Sequence, residues 1–564
     1  MSGNRVPYRI ALVSLAVVLL AYVLYPQALM IVGSLKVDGR FSLERYVRLL
    51  DPANSANVEA VMNSVAVSIL SVVLGAAVGG MFAFTFTQFR FPFHKFLSRL
   101  AVLPLALPPL VGVISFLFVF GESGLLPRIL QKLFMSVQVP FYLDGFWAIV
   151  AIHVYSFYVY FYLFVSNSLR QLDGSLVEAA SSLGASQWRT FRRVVLPELR
   201  PALVGASILT FMASMASFSA PLIFGGERRF LTTQIYTTKL NGELDAAAAQ
   251  SVLLTLVSVG FFLVLTLSNR RGTGASKTKG SPRPSGIKVS PLLRRTLILI
   301  ALFLLSLELL PILTIVLISF VRESSWTWQV FPSEYTVENY AKLFLDPRVF
   351  EPIQNSVLMA LLTVAAATIV GVSASFVAVK GGLKRFRLGV DLLLTLSFAI
   401  PGTVIAISLI YAFNRPILFS GYAVLVGTFW TLPLAYFIRT YPLVVRATSA
   451  SLERFDDSLM EAGETFGANL FTRLRRIALP IILPGILSGC LLVAIAALGE
   501  FVSSIMLYTY SSRPISMEIL SQLRGYNFGA AAAYSVFLLL VIFLLTLFSN
   551  RLGRKEFEHE GLNF

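Results

Sequence analysis

Apolar stretches long enough to cross a bilayer recur along the whole chain, and they constrain its fold more than any other feature. A hydrocarbon core about 30 Å thick is crossed by a helix of about 20 apolar residues. Runs that meet or approach this length lie near 10–35, 60–87, 99–120, 146–169, 199–222 and 250–268, then near 296–320, 354–379, 390–413, 421–445, 481–508 and 530–549. The 564 residues are 56% hydrophobic and 13% charged, against about 25% charged in soluble domains. Lipid is therefore the solvent, and the expected architecture is an all-α polytopic membrane protein with about twelve transmembrane helices. The first run follows Arg5 and Arg9, as a signal peptide would. It is too long for a signal h-region and no small-residue cleavage site follows, so it reads as the first span.

The net charge of +17 comes from 46 Lys+Arg against 29 Asp+Glu. The cations cluster between apolar runs, which points to membrane topology and not to nucleic acid. Arg90, Lys95 and Arg99 follow the second span, and Lys380, Lys384, Arg385 and Arg387 follow the eighth. Arg170, Arg189, Arg192, Arg193 and Arg200 fall on the same side, as do Arg473, Arg475 and Arg476. The positive-inside rule places this side, with both termini, in the cytoplasm. The lone Cys490 excludes an internal disulfide framework. His94, His153 and His559 stand far apart and form no ligand motif. No metal site, cofactor site or catalytic cluster is legible, and the expectation is a protein that is not an enzyme.

Residues 269–295 differ in kind, with eight Lys/Arg, no acid and much Gly, Ser and Pro. Such a segment cannot bury enough apolar surface to fold and reads as a flexible basic linker. Its "GTGASKT" fails the phosphate-loop pattern because Ser276 stands where glycine must precede Lys277. The linker divides two similar halves of six spans, 1–268 and 296–564. "FSLERY" at 41–46 answers "YTVENY" at 335–340, Asn63-Ser64-Val65 answers Asn355-Ser356-Val357, and "LALPPLVGVIS" at 105–115 answers "FAIPGTVIAIS" at 398–408. An even number of spans per half makes this a parallel repeat, with a pseudo-two-fold axis along the membrane normal and a pathway between the halves.

The most specific repeat is polar. "EAASSLGASQWRTFRRVVLP" at 178–197 and "EAGETFGANLFTRLRRIALP" at 461–480 share 8 of 20 positions. Each parses as two short helices. Ser175-x-x-Glu178 and Ser458-x-x-Glu461 match the capping box. Gly184 and Gly467 suit a left-handed C-terminal cap, and Ser186 and Asn469 can cap the next helix. Pro197 and Pro480 are expected to close the segment. This pattern resembles the cytoplasmic motif of permease subunits of binding-protein-dependent ABC importers. Two copies in one chain look like the fused permeases of the ferric-iron and thiamine importer group.

The resemblance implies a type I importer permease fold in a bacterial inner membrane. It implies that Glu178, Ala179 and Gly184, with Glu461, Ala462 and Gly467, belong to coupling helices that dock on two copies of a separate cytoplasmic ATPase. ATP would be bound by those subunits and not by this chain. A periplasmic or lipid-anchored binding protein would dock on the outer loops 36–59, 223–249, 321–352 and 508–529. Gly463 departs from the pattern, which has alanine there; a glycine loosens a helix by up to about 1 kcal/mol. Ferric iron is the favoured substrate, with thiamine, a phosphonate or another small polar solute as alternatives. A secondary transporter driven by an ion gradient is the rival class.

Glu500 stands within the eleventh apolar run, where an acid must face the protein interior or a cavity. It is either a hydrogen-bonded structural acid or a pathway group. Ser217 occupies the matching place, and Phe218 and Phe501 follow; the four form a candidate gate. Glu308 in the seventh span is a weaker candidate. Pro104, Pro108, Pro109 and Pro401 should break the third and ninth spans, and the aromatic run 153–164 should serve packing.

Overall fold

The computed structural model describes residues 12–13, 15–53, 55–270, 289–380 and 400–558. Most of the linker, the basic cluster Lys384, Arg385 and Arg387, the start of the ninth span and His559 lie outside the described residues. Helices account for nearly all of the rest; a two-stranded ribbon pairs Lys36–Val37 with Arg40–Phe41. Among the described residues, ten helices are long and apolar enough to cross a membrane. The ninth span is represented by Gly402–Phe413. The tenth is the 24-residue helix Thr431–Arg454, whose Arg439 and Arg446 dilute its hydropathy.

The chain divides into two compact units that do not follow the halves of the sequence. One contains residues 46–237 and 253–335, so the seventh span belongs with spans from the first half. Its core joins Phe82, Tyr158 and Tyr162 to Ala301 and Leu305 of the seventh span. Glu308, on the same helix, is buried and accepts a hydrogen bond from the Tyr158 hydroxyl at 2.6 Å. Beyond that span Arg128 donates to the Gln329 carbonyl at 2.7 Å and lies 4.4 Å from the Trp326 ring. The aromatic run packs as expected, with Tyr158, Val159, Phe161 and Tyr162 buried. His153 is buried within the same run, and its Nδ1 lies 2.9 Å from the Ser214 hydroxyl.

The other unit contains residues 1–45, 238–252 and 336–564, so the first span belongs with the second half. Tyr22 donates to the Phe419 carbonyl at 2.9 Å, and Gln27 donates to Ser408 at 2.8 Å. Just past the span, Asp245 accepts from Arg45 and from the Tyr411 hydroxyl, each at 2.7 Å. A Cβ on Gly33 would overlap the Tyr411 ring and hydroxyl, so glycine is what lets the first span lie against that tyrosine. The six-plus-six count is a statement about sequence; packing exchanges the leading span of each half.

Candidate functional site

Both copies of the polar repeat fold as helix–turn–helix. The first helices are Gly174–Ser182 and Ser458–Thr465. The expected capping boxes are not made. An aspartate does the work in both copies: Asp173 accepts the Ser175 N–H, and Asp456 accepts the Ser458 N–H, each at 2.9 Å. Ser175 and Ser458 stand inside the first turn, where a hydroxyl cannot cap. Glu178 and Glu461 are exposed, and among the described residues neither carboxylate has a hydrogen-bond or ion-pair partner. Ala179 and Ala462 beside them are exposed as well.

The turns follow expectation. Gly184 and Gly467 have φ of 75° and 77°, a region that strains residues with a Cβ. The N–H groups of Ala185 and Ala468 reach back to the carbonyls of Ala180 and Gly463, both at 3.0 Å. This six-to-one bond closes a Schellman cap in each copy. Ser186 accepts the Arg189 N–H at 3.3 Å, and Asn469 accepts the Thr472 N–H at 2.8 Å, so both predicted caps form. Pro197 and Pro480 do not close the segment. The helix runs on through them from Gln187 to Met215 and from Phe471 to Leu498. Ahead of each proline is one π-helical turn, Phe191–Val195 and Leu474–Ala478. The proline has no N–H to give the carbonyl four residues back and its ring crowds that carbonyl, so the turn widens.

Sequence reading missed the side chains that project from this scaffold. Leu183 and Phe466, each at the residue before the left-handed glycine, are 88% and 90% exposed. Trp188 and Phe471, one residue into the second helices or their first turn, are 69% and 70% exposed. The signal was present: the same 283-residue offset that relates Glu178 to Glu461 keeps both positions large and apolar. Arg473 was also missed. It is buried, donates to the Met460 carbonyl at 3.1 Å and pairs with Glu464. A Cβ on Gly463 would stand 2.7 Å from Ile477 Cδ1 and 3.2 Å from Arg473 Cγ. The glycine therefore makes room for Ile477 and for the arginine stem; in the first copy the matching residues are Ala180, Val194 and Thr190.

The candidate gate residues occupy breaks in the fifth and eleventh spans. Leu196–Met215 stops before Ser217 and Phe218, and the helix Ser219–Phe224 follows. Leu479–Leu498 stops before Glu500 and Phe501, and Val502–Leu507 follows. Phe218 and Phe501 share one backbone conformation, with φ of −116° and −114°, and both are fully buried. Each break frees carbonyls that a bilayer cannot solvate. Thr232 donates to the Ser217 carbonyl at 2.8 Å, and Ser516 donates to the Glu500 carbonyl at 3.0 Å. The Asn-Ser repeats hold the returning segments. Asn63 and Asn355 donate to the carbonyls of Arg229 and Arg513, and Ser64 and Ser356 accept the N–H groups of Leu231 and Ile515.

Glu500 is 7% exposed and fully engaged. Its Oε1 accepts the Ser503 N–H at 2.9 Å, capping the short helix, and its Oε2 lies 3.3 Å from Nη1 of Arg439. Arg439, in the tenth span, went unnoticed in the sequence because the run around it reads as simply less apolar. Ser217 and Glu500 thus share a backbone place, and only Glu500 has an ionic partner.

Comparison with known proteins agrees with this geometry. Residues 63–271 and 367–556 each match the family described as binding-protein-dependent transport system inner membrane component. A probable ABC transporter permease of Sinorhizobium fredii is 30% identical over 96% of this chain and 95% of its own length. A ferric transport system permease of Actinobacillus pleuropneumoniae is 26% identical over 95% of this chain and 77% of its own. A molybdenum transport system permease of Mycobacterium tuberculosis is 32% identical, over 35% of this chain and 75% of its own. With two family matches, a polytopic helical fold and a doubled helix–turn–helix, the chain belongs to the inner-membrane permease components of binding-protein-dependent ABC transport systems, carrying both permease domains in one polypeptide.

Proposed function

We propose that this chain is the ferric-iron permease of an ABC importer and that its two domains enclose the substrate pathway. The observation that carries the reading is the pair of near-identical helix–turn–helix motifs, each presenting an unpartnered glutamate and two exposed apolar side chains. Exposed aromatic rings on a rigid turn, here Trp188, Phe466 and Phe471, are of the kind enriched at protein interfaces. Two such turns fit two copies of one cytoplasmic ATPase, which bind the ATP. Drawing them together would open the pathway outward to a periplasmic or lipid-anchored binding protein. The basic-residue pattern supports placing both motifs and both termini in the cytoplasm.

Iron rests on the relatives. Those named for ferric transport align over most of this chain, whereas the molybdenum permease aligns over 35% of it. Uptake of ferric iron by cells or proteoliposomes carrying the chain, its ATPase and its binding protein tests the substrate. Uptake of another solute, with no iron, would overturn it. Coupling is tested separately. Leu183→Asp with Phe466→Asp should reduce ATPase co-purification by about tenfold or more, as loss of an interface anchor does. Glu178→Gln with Glu461→Gln should lower transport without loss of inserted protein, because these carboxylates hold no cap. Normal co-purification in the first pair and normal transport in the second would remove the docking assignment.

A further inference from the structure

The two halves differ in chemistry around the start of one short apolar helix. The helix Gly402–Phe413 begins in mid-span after Pro401, and no side chain caps it. Its first N–H groups therefore present the positive end of a 12-residue half-helix. Two hydroxyls at this end, of Thr403 and Ser503, are fully buried and have no hydrogen-bond partner among the described residues. Ser503 Oγ lies 3.3 Å from where a Cβ on Gly402 would stand, and that same Cβ would overlap Nη1 of Arg439. The absent side chain leaves backbone, hydroxyl and guanidinium converging. Arg439 is 35% exposed on a helix that is otherwise buried along this stretch. Among the described residues only its Nη1 is engaged, by Glu500. A guanidinium with free donors at this depth must meet water or a ligand.

The uncapped helix start has a counterpart in Pro109–Phe120 of the first half, and the side chains around it have none. "FW" at 146–147 answers "FW" at 429–430 and fixes the register of the fourth and tenth spans. Pro109 then stands for Gly402, Leu110 for Thr403, Ser156 for Arg439, Ser217 for Glu500 and Ala220 for Ser503. Five substitutions at one place, all removing charge, hydroxyl or space, are not the drift of a structural repeat. A buried hydroxyl left unpaired is a standing cost, and two of them beside a half-helix N-terminus and a positioned arginine describe an unfilled set of donors.

We propose that the second half holds an oxyanion-binding position formed by the N-terminus of the Gly402–Phe413 helix, Thr403, Ser503 and Arg439, with Glu500 as the positioning residue that orients the guanidinium. The ligand is a carboxylate, phosphate or sulfate group, arriving either as a free oxyanion or as the anionic shell of a bound metal ion. In the second case the inference rests on the ferric-import reading. The test uses the full chain with its ATPase in lipid nanodiscs, and labelled phosphate, labelled sulfate and ferric citrate as probes. Thr403→Val with Ser503→Ala removes both hydroxyls at nearly constant volume. Loss of hydrogen bonds to a charged ligand should weaken binding by about tenfold or more, while thermal stability stays level or rises, since unpaired buried hydroxyls are lost. Arg439→Lys should weaken binding with the protein still inserted. Binding of phosphate or sulfate alone assigns a free oxyanion; binding of ferric citrate alone assigns the metal's shell. Either supports the site only if the double variant loses it. No saturable binding of any probe, or equal binding by the double variant, overturns the proposal. Probe binding and iron uptake that both persist unaltered in the double variant would sink the site and leave the importer reading standing. Phosphate binding without any iron uptake would do the reverse.

Discussion

At the residue scale the two helix–turn–helix motifs share their turns and second-helix caps and differ in how their helices are tied together. Gly463 replaces a helix-favouring alanine, and taken alone that would cost about 1 kcal/mol. The structure shows the reason: Ile477 Cδ1, and after it the Arg473 stem, crowd the space of the missing methyl, and Arg473 ties the two helices through Met460 and Glu464. Gly463→Ala should therefore destabilise, by about 1–3 kcal/mol, as overpacking does. Adding Ile477→Val and Arg473→Thr, which recreates the Ala180, Val194 and Thr190 set of the first motif, should recover most of the loss. Thermal unfolding of the purified chain and ATPase retention would read both. If Gly463→Ala alone is neutral, the glycine is incidental. The glycine caps and the Ser186 and Asn469 caps were legible because each depends on one residue and its immediate neighbours. The Asp173 and Asp456 caps were missed because helix starts shift by one or two residues, and a Ser-x-x-Glu spacing is met as easily inside a first turn as at its edge.

At the element scale the breaks in the fifth and eleventh spans were hidden by their own hydrophobicity. A run of apolar residues does not say whether its helix is continuous. What reveals the break is the partner of each freed carbonyl, Thr232 or Ser516, and these lie on a later helix. The position of the first span was hidden in the same way, since apolarity names the bilayer and not the neighbour. Its register in the second-half unit is set by Gly33 against Tyr411 and by Asp245 between Arg45 and Tyr411. Gly33→Ala should displace the span and lower stability, by about 1–3 kcal/mol, and Tyr411→Leu should relieve it. Asp245→Asn should cost less, about 1 kcal/mol, because this pair is partly exposed and screened. Protease sensitivity of the 36–59 loop, compared across the three variants, ranks them. An Asp245→Asn effect larger than that of Gly33→Ala would show that charge and not contact sets the register.

At the scale of the whole molecule, the sequence repeat and the packing units divide the chain differently. The duplication was plain in the sequence because matched motifs survive at fixed offsets. The exchange of leading spans was not, because no residue within a span reports which half it packs on. The exchange has a consequence for the linker. Its composition is that of a flexible chain, and a cut near Gly280 separates the two halves of the sequence. Each fragment alone, however, lacks a span that its unit requires. The first fragment keeps Tyr158 and Arg128 and loses Glu308 and Gln329; the second keeps Ser408 and Tyr411 and loses Gln27 and Asp245. A buried polar group stripped of its partner costs about 1–3 kcal/mol, and several are stripped at once in addition to the apolar contacts of a whole helix. Residues 1–280 or 281–564 expressed singly should be degraded or aggregate, while both together should co-purify as one complex and restore ATPase binding. Removing residues 1–35 from the first fragment should abolish that complex even though the six spans of the second half are all present. Stable, monodisperse single fragments would show that each half of the sequence folds on its own and that the exchanged spans are dispensable.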